Sequence, residues 1–337
     1  MADRLKIVFG HLNSQRLHGN GGIYPHSVAA VDSSLASGLQ FKYTIDDSKL
    51  TLEQRKFYEE NGFLVIKKLV SPQKLNQYRN RFVDICKRNI IVPGLIIMRD
   101  VAIKNSEFVP GEQAVTKIQD FQNDDVMFGY CALPEVVDYV AAFTGPDVVA
   151  MHTMLINKPP DSGKLTSRHP MHQDLHYFPF RPADRIVCSW TAMQKINRQN
   201  GCLVVVPGSH TGDLLVHEYP KWEGGVNKMY HGIQNYDPSQ HRVHLEMEEG
   251  DTVFFHPLLV HGSGTNRTKD FRKSISCHYA SGDAYYVDVT DTEQELIADE
   301  VLELVKKRLG RETNLSYQDI WKYKSRIVKG RNSVNTA

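Results

Sequence analysis

The sequence lacks the features that mark the specialised classes of protein. Only five of its 337 residues are cysteine, namely Cys86, Cys131, Cys188, Cys202 and Cys277, and no C-x-x-C pair occurs. An odd count without close pairs argues against a disulfide framework and a cysteine-built zinc site, and it points to reduced thiols in an intracellular compartment. No apolar run approaches the ~20 residues that a membrane helix needs, so no membrane span is expected. The apolar stretch Ile7-Val8-Phe9 is too short for a secretory signal. A surplus of charge is missing as well. The formal net charge is +1, which removes the electrostatic footprint of a nucleic-acid or anionic-lipid binder. There is no internal repeat and no low-complexity tract.

What is present divides along the chain. Residues 13–40 are rich in Gly, Ser, Asn and Ala and read as a linker, with the folded body starting near Phe41. Thr51-Leu52-Glu53-Gln54 has the form of a capping box, and Gly62 is placed to end that helix. Ser71-Pro72 is a cap with proline at the first helical position, and Leu75, Tyr78, Phe82 and Ile85 follow at helical spacing. A third helix is expected near Pro134–Phe143. From residue 148 short strand-like runs alternate with Gly/Pro punctuation: 148–156, 185–193, 202–206, 242–247, 252–255, 258–261 and 273–280. Helical patterning returns near 293–308 and 317–328. The expected fold is mainly β with flanking α, a double-stranded β-helix (jelly roll) wrapped by N- and C-terminal helices.

The chemistry concentrates in His172-Gln173-Asp174. On an extended segment residues i and i+2 share a face, so an imidazole and a carboxylate converge. One further histidine from another strand completes a 2-His-1-carboxylate triad with open positions on one side, the arrangement of non-haem Fe(II) oxygenases. The pair alone is a weak signal, because the chain has 15 histidines and repeats the form in His244-Leu245-Glu246. Position separates the two. His172/Asp174 lies early in the β region, where later strands can return a histidine to it. His261 follows an apolar run and precedes Gly-Ser-Gly, which is expected to let the backbone turn tightly. Arg272 comes eleven residues later, heading a strand expected to lie beside His261. Its guanidinium fork suits a distal carboxylate. His244/Glu246 is read as structural.

The block Arg168–Phe180, with Pro257–Ser263 and Phe271-Arg272, resembles the phytanoyl-CoA dioxygenase family. Met151–Pro160 and Tyr219–Lys228 extend the likeness, which runs from about residue 41 to the C-terminus. The resemblance implies that His172, Asp174 and His261 bind Fe(II). It implies that Arg272 and Ser263 hold the far carboxylate of 2-oxoglutarate, and that Lys117, Met154, Trp190 and Gln173 line its site. On pattern alone Met154 and Trp190 read as core and Lys117 as solvated surface. It further implies O2 as second co-substrate, ascorbate as reductant, and hydroxylation at C2 of a 3-methyl-branched acyl-CoA with release of succinate and CO2. Asp174 favours hydroxylation over halogenation, for which this fold places a small residue there. His169 and His176 are expected to orient ligands, not to act as bases. Tyr177, Phe178 and Phe180 face either an acyl chain or the core. The same chemistry on another substrate, and a catalytically silent jelly roll, are the alternatives.

Arg4-Leu5-x5-His11-Leu12 resembles an N-terminal peroxisomal matrix signal, read by a soluble import receptor. Residues 1–40 are thus expected to be a targeting segment and linker ahead of one oxygenase domain, 41–337. The C-terminal Asn-Thr-Ala is not the alternative peroxisomal tripeptide.

Overall fold

The computed structural model describes residues 40–46, 48–100, 111–310 and 314–330. The chain divides into two units, Met1–Phe41 and Lys42–Ala337. The targeting motif and nearly all of the linker fall outside the described residues. The account below concerns the second unit.

Two antiparallel sheets build it. The larger runs β1 (Phe63–Ile66), β12 (Thr252–Phe255), β7 (Ile186–Ala192), β14 (Arg272–Ser281), β4 (Val148–Lys158), β3 (Lys117–Gln119) and β2 (Ile96–Met98), with β16 (Arg326–Lys329) also paired to β4. The smaller runs β11 (Val243–Leu245), β8 (Leu203–Val205), β13 (His261–Ser263) and β5 (His169–His172). The double sheet is the jelly-roll core expected of the sequence. Two-residue pairs, β6 (Phe180–Arg181) with β15 (Tyr285–Tyr286) and β9 (His217–Glu218) with β10 (Gly232–Ile233), pin the connecting loops.

Helices cover the larger sheet for reasons visible locally. Leu52–Asn61 opens on the Thr51/Gln54 capping box and ends at Gly62 with φ 77°. A Cβ on Gly62 would stand 2.5 Å from the His210 ring, so glycine is required twice over. Pro72–Cys86 buries Leu75, Tyr78, Phe82 and Ile85. Each such side chain is worth about 1.5–3 kcal/mol of burial. Pro134–Thr144 lays Phe143 against Phe254 of β12, with ring centroids 5.8 Å apart. On the far side Phe178, Phe180, Tyr317 and Trp321 form one buried cluster. Phe178 and Phe180 are therefore core.

Three expected elements differ. Residues 258–260 are a turn and not a strand, with Leu259 N–H donating to His256 O and Val260 N–H to Ser209 Oγ; the strand starts at His261. The last helix stops at Lys324, because Ser325 is extended (φ −73°, ψ 145°) and Arg326–Lys329 pair with β4. β-branched Ile327 and Val328 suit a strand better than a last helical turn. Arg272 heads a strand of the larger sheet, paired with β4 and β7, and so does not lie beside His261. The chain changes sheets across residues 264–271.

Candidate active site

His172 closes β5 and His261 opens β13, and the two are paired across the smaller sheet. Gln173 is extended, and Asp174 begins a short 3₁₀ turn, Asp174–Tyr177. The strand-to-turn junction brings Asp174 Oδ1 to 3.3 Å from His172 Nε2 and 3.7 Å from His261 Nε2. All three residues are buried.

The far side of each ligand ring decides its tautomer. His172 Nδ1 donates to Pro170 O at 2.9 Å, and His261 Nδ1 donates to Leu259 O at 2.9 Å. In both, the carbonyl belongs to the residue two positions earlier. Both Nε2 lone pairs therefore point at Asp174 Oδ1. The other carboxylate oxygen, Oδ2, accepts from His278 Nε2 at 2.7 Å. Neighbouring histidines hold the Asp174 carboxyl well below its usual range against the opposing effect of burial. Burial pushes His261 down to about 4. Two imidazole nitrogens and one carboxylate oxygen are a donor set that suits Fe(II). Among the described residues one other group has ligand spacing, Asp174, Cys188 and His278. It is a poorer fit, since His278 already bonds Asp174 and burial raises the Cys188 thiol well above its ordinary value.

The three ligand atoms face a cavity of about 80 Å³ between the two sheets. That is several times the ~10–15 Å³ one water needs. Lys117, Met154, Trp190, Ser263 and Arg272 all line it. Across the larger sheet Ser276 is paired with Met154 on one side and Trp190 on the other, so the three form one row on the cavity floor. Arg272 is 1 % exposed and has no carboxylate partner among the described residues. Its guanidinium donates to Ser274 Oγ and Gly201 O, both at 2.9 Å, and lies over the Trp190 ring. Burial lowers its pKa to about 10. Its Nε is buried without an acceptor, and so is Ser276 Oγ without a partner. The Lys117 ammonium meets the Tyr230 ring at 5.3 Å, and burial lowers its pKa to about 8. A buried, unpaired guanidinium is costly unless an anion completes it. The cavity thus fits a small dicarboxylate.

Gln173 is placed elsewhere. It lies outside the cavity lining, and its amide donates to Asp213 O and Leu258 O and accepts from Leu215 N–H. It brackets the 213–215 loop and the 258 turn, on the face opposite to its neighbours. His244 and Glu246 are exposed at edge strand β11 and join neither candidate metal group.

A family profile, phytanoyl-CoA dioxygenase (PhyH), matches residues 58–274. The chain is 58% identical over 330 residues to the human protein named "Phytanoyl-CoA dioxygenase, peroxisomal", covering 98% of this chain and 97% of that one. It belongs to the phytanoyl-CoA dioxygenase family. A Caenorhabditis elegans protein named "Probable phytanoyl-CoA dioxygenase" is 59% identical over 302 residues, covering 86% of this chain and 97% of that one. Among solved structures, EctD from S. alaskensis with 2-oxoglutarate and 5-hydroxyectoine superposes with TM-score 0.54 at 17% identity, over 72% of this chain and 80% of that one. The epimerase SnoN, in complex with Fe3+, alpha ketoglutarate and nogalamycin RO, gives 0.53 at 20%, over 70% and 85%. At these identities the structures speak for the fold.

Within this member of the family, sequence reasoning missed Lys158, Ser276, His278 and Tyr230, which all line the cavity. Lys158 bonds Ser167 O, and donates to Ser263 Oγ at 3.0 Å and Gly264 O at 2.9 Å. Burial lowers the Lys158 pKa well below its ordinary value, and the amine fixes Ser263 at the cavity wall. Period-2 alternation carried a signal for three of the four. Arg272, Ser274, Ser276 and His278 share a strand face, as do Met154, Ile156 and Lys158.

Proposed function

We propose that His172, Asp174 and His261 hold Fe(II), and that Lys117, Met154, Trp190, Ser263 and Arg272 hold 2-oxoglutarate beside it. The observation that carries this is the joint one: three convergent ligand atoms open on a buried cavity whose least exposed cation, Arg272, has no anion among the described residues. Gln173 is reassigned to bracing the ligand segment.

The enzyme is a peroxisomal 2-oxoglutarate-dependent dioxygenase of fatty acid α-oxidation, and relatives at 56–58% identity carry the name "Phytanoyl-CoA dioxygenase, peroxisomal". It hydroxylates C2 of the 3-methyl-branched acyl chain of phytanoyl-CoA. Fe(II), 2-oxoglutarate and O2 supply the chemistry: oxidative decarboxylation to succinate and CO2, with one oxygen atom passing to the substrate carbon. The chain's own residues do the rest. The Pro170 and Leu259 carbonyls fix the tautomer and aim of both imidazoles. His278 occupies Asp174 Oδ2 and leaves Oδ1 as the ligand atom. Arg272 and Ser263 set the orientation of the distal carboxylate, at a distance from the ligands set by the two sheets. Trp190, Met154 and Phe255 give the cavity a wall that excludes water. Hydrogen removal calls for no protein base, and none is assigned.

Following succinate formation with a 3-methyl-branched acyl-CoA tests the reading. Turnover well above uncoupled 2-oxoglutarate consumption is expected, and its absence overturns the substrate. His172→Ala should abolish metal binding and turnover. Arg272→Ala should instead raise the KM for 2-oxoglutarate by 10-fold or more, roughly the worth of a charged hydrogen bond.

We further propose that residues 1–40 form a targeting segment read by a soluble import receptor, and that 41–337 is one catalytic domain. Fusion of residues 1–40 to a fluorescent reporter should send it to peroxisomes, and Arg4→Glu should leave it cytosolic.

A further inference from the structure

A second space lies behind the metal-bearing strand. It is a groove of about 670 Å³, within the ~300–1,000 Å³ typical of small-ligand sites. The two spaces share a wall. Ser167 and His169 face the metal cavity, whereas Arg168 and Pro170 line the groove. Three cations line it, Arg168, Lys221 and Arg242, against one carboxylate, Glu218. None of these four groups forms an ion pair among the described residues. Arg168 is stacked on Trp222, its Cζ 3.6 Å from the ring centroid, and its Nε is buried without an acceptor. The Tyr236 hydroxyl, also on the groove wall, is buried and unpartnered. A guanidinium held rigid by stacking but lacking an anion is preorganised for phosphate. Flat aromatic faces beside it suit a purine.

We propose that this groove binds the phosphoadenosine end of the acyl-CoA substrate. The inference rests on the acyl-CoA reading above. Arg168 precedes His172 by four residues of extended chain, about 13 Å at strand rise. A thioester carbon at the metal and a phosphate at Arg168 therefore need a long thin spacer, and the pantetheine arm of coenzyme A is one. Trp222 and Tyr236 offer the base a stacking surface, and Arg242 and Lys221 reach the remaining phosphates from the exposed rim.

The test uses the full chain and adenosine 3′,5′-bisphosphate as probe. Calorimetry should show binding by the iron-free protein, weakened about 10-fold in Arg168→Gln and in Arg242→Gln, the scale of a charged hydrogen bond. In turnover, Arg242→Gln should raise the KM for the branched acyl-CoA about 10-fold. It should shift the KM of the matching acyl-pantetheine thioester less than two-fold. Arg242 is exposed and outside the stack, so this variant carries the test if Arg168→Gln fails to fold, which melting temperature will show. No binding of the bisphosphate by the wild type, or equal shifts for both thioesters, overturns the proposal. The two readings fail separately. Arginine-dependent bisphosphate binding without acyl-CoA turnover keeps the groove and removes the activity. Acyl-CoA turnover indifferent to Arg242 keeps the activity and removes the groove.

Discussion

Each ligand histidine is held by one hydrogen bond on the side away from its lone pair, and the acceptor is a backbone carbonyl in both cases. A carbonyl cannot rotate away or titrate, so the tautomer is built into the fold. The side chains around the triad divide by where their bonds go. Arg272 keeps an unfilled donor in the cavity, whereas Gln173 spends its amide on three backbone groups. Gln173→Ala should therefore leave buried polar groups unpaired, lowering stability by about 2–3 kcal/mol, with the KM for 2-oxoglutarate changed only in proportion to lost metal. Denaturant unfolding and co-substrate titration separate these effects. Lys117 gives a pH signature. Burial lowers its pKa to about 8, so the free enzyme carries this charge below pH 8 and sheds it above. A dianion needs the charged form. The dissociation constant of 2-oxoglutarate should be flat below pH 8 and rise above it. Lys117→Gln should bind less tightly at pH 7 and lose the rise.

Among the elements, β13 shows why glycine stands where it does. Gly262 and Gly264 are not in the left-handed region, contrary to the expectation of a tight turn. A Cβ on Gly262 would stand 2.9 Å from Met171 Sδ and 3.0 Å from the His169 and Pro170 carbonyls. The glycine is needed for close approach of β13 to β5, which is what puts His261 across from His172. Gly262→Ala should cost about 1–3 kcal/mol, as overpacking does, and weaken metal binding by separating the two ligands. Metal titration of the purified variant checks this. The elements also show what the sequence makes legible. Caps and periodicity located the helices Leu52–Asn61 and Pro72–Cys86, because those signals are local. The His172/Asp174 pair was legible for the same reason. The Met154–Ser276–Trp190 row was not, because its members lie far apart in the chain and meet only through strand register. Family resemblance singled out Met154 and Trp190, but Ser276 had no such help. The sheet holding Arg272 was misread because nothing local marks where the chain crosses from one sheet to the other.

At the scale of the whole molecule, buried neutral histidine is the common currency. Outside the ligands, burial lowers His152 and His210 to about 4, His217 to about 3 and His176 to about 2. They tie loops to the core: His176 meets His231, which meets Glu300 of the helix Glu295–Leu309. The folded values lie below the unfolded value near 6.5. Above that pH both states are neutral and nothing is lost. As pH falls below it the unfolded chain takes up protons that the folded one refuses, so stability drops by up to about 1.4 kcal/mol per pH unit for each group. The melting temperature should hold from pH 7 to 8 and fall steeply below about pH 6, on top of any carboxylate effect. Replacing His176 with Phe should flatten part of that fall.

The two proposed ligand histidines sit on the smaller sheet and the guanidinium on the larger, so the gap between sheets works as a length gauge. Sheets packed face to face keep a spacing near 10 Å that their side chains resist changing. A keto acid one methylene longer must push the layers apart, and one a methylene shorter leaves its far carboxylate short of the guanidinium. The enzyme should therefore discriminate 2-oxoglutarate from 2-oxoadipate and oxaloacetate by reach, with shared charge and functional groups counting for little.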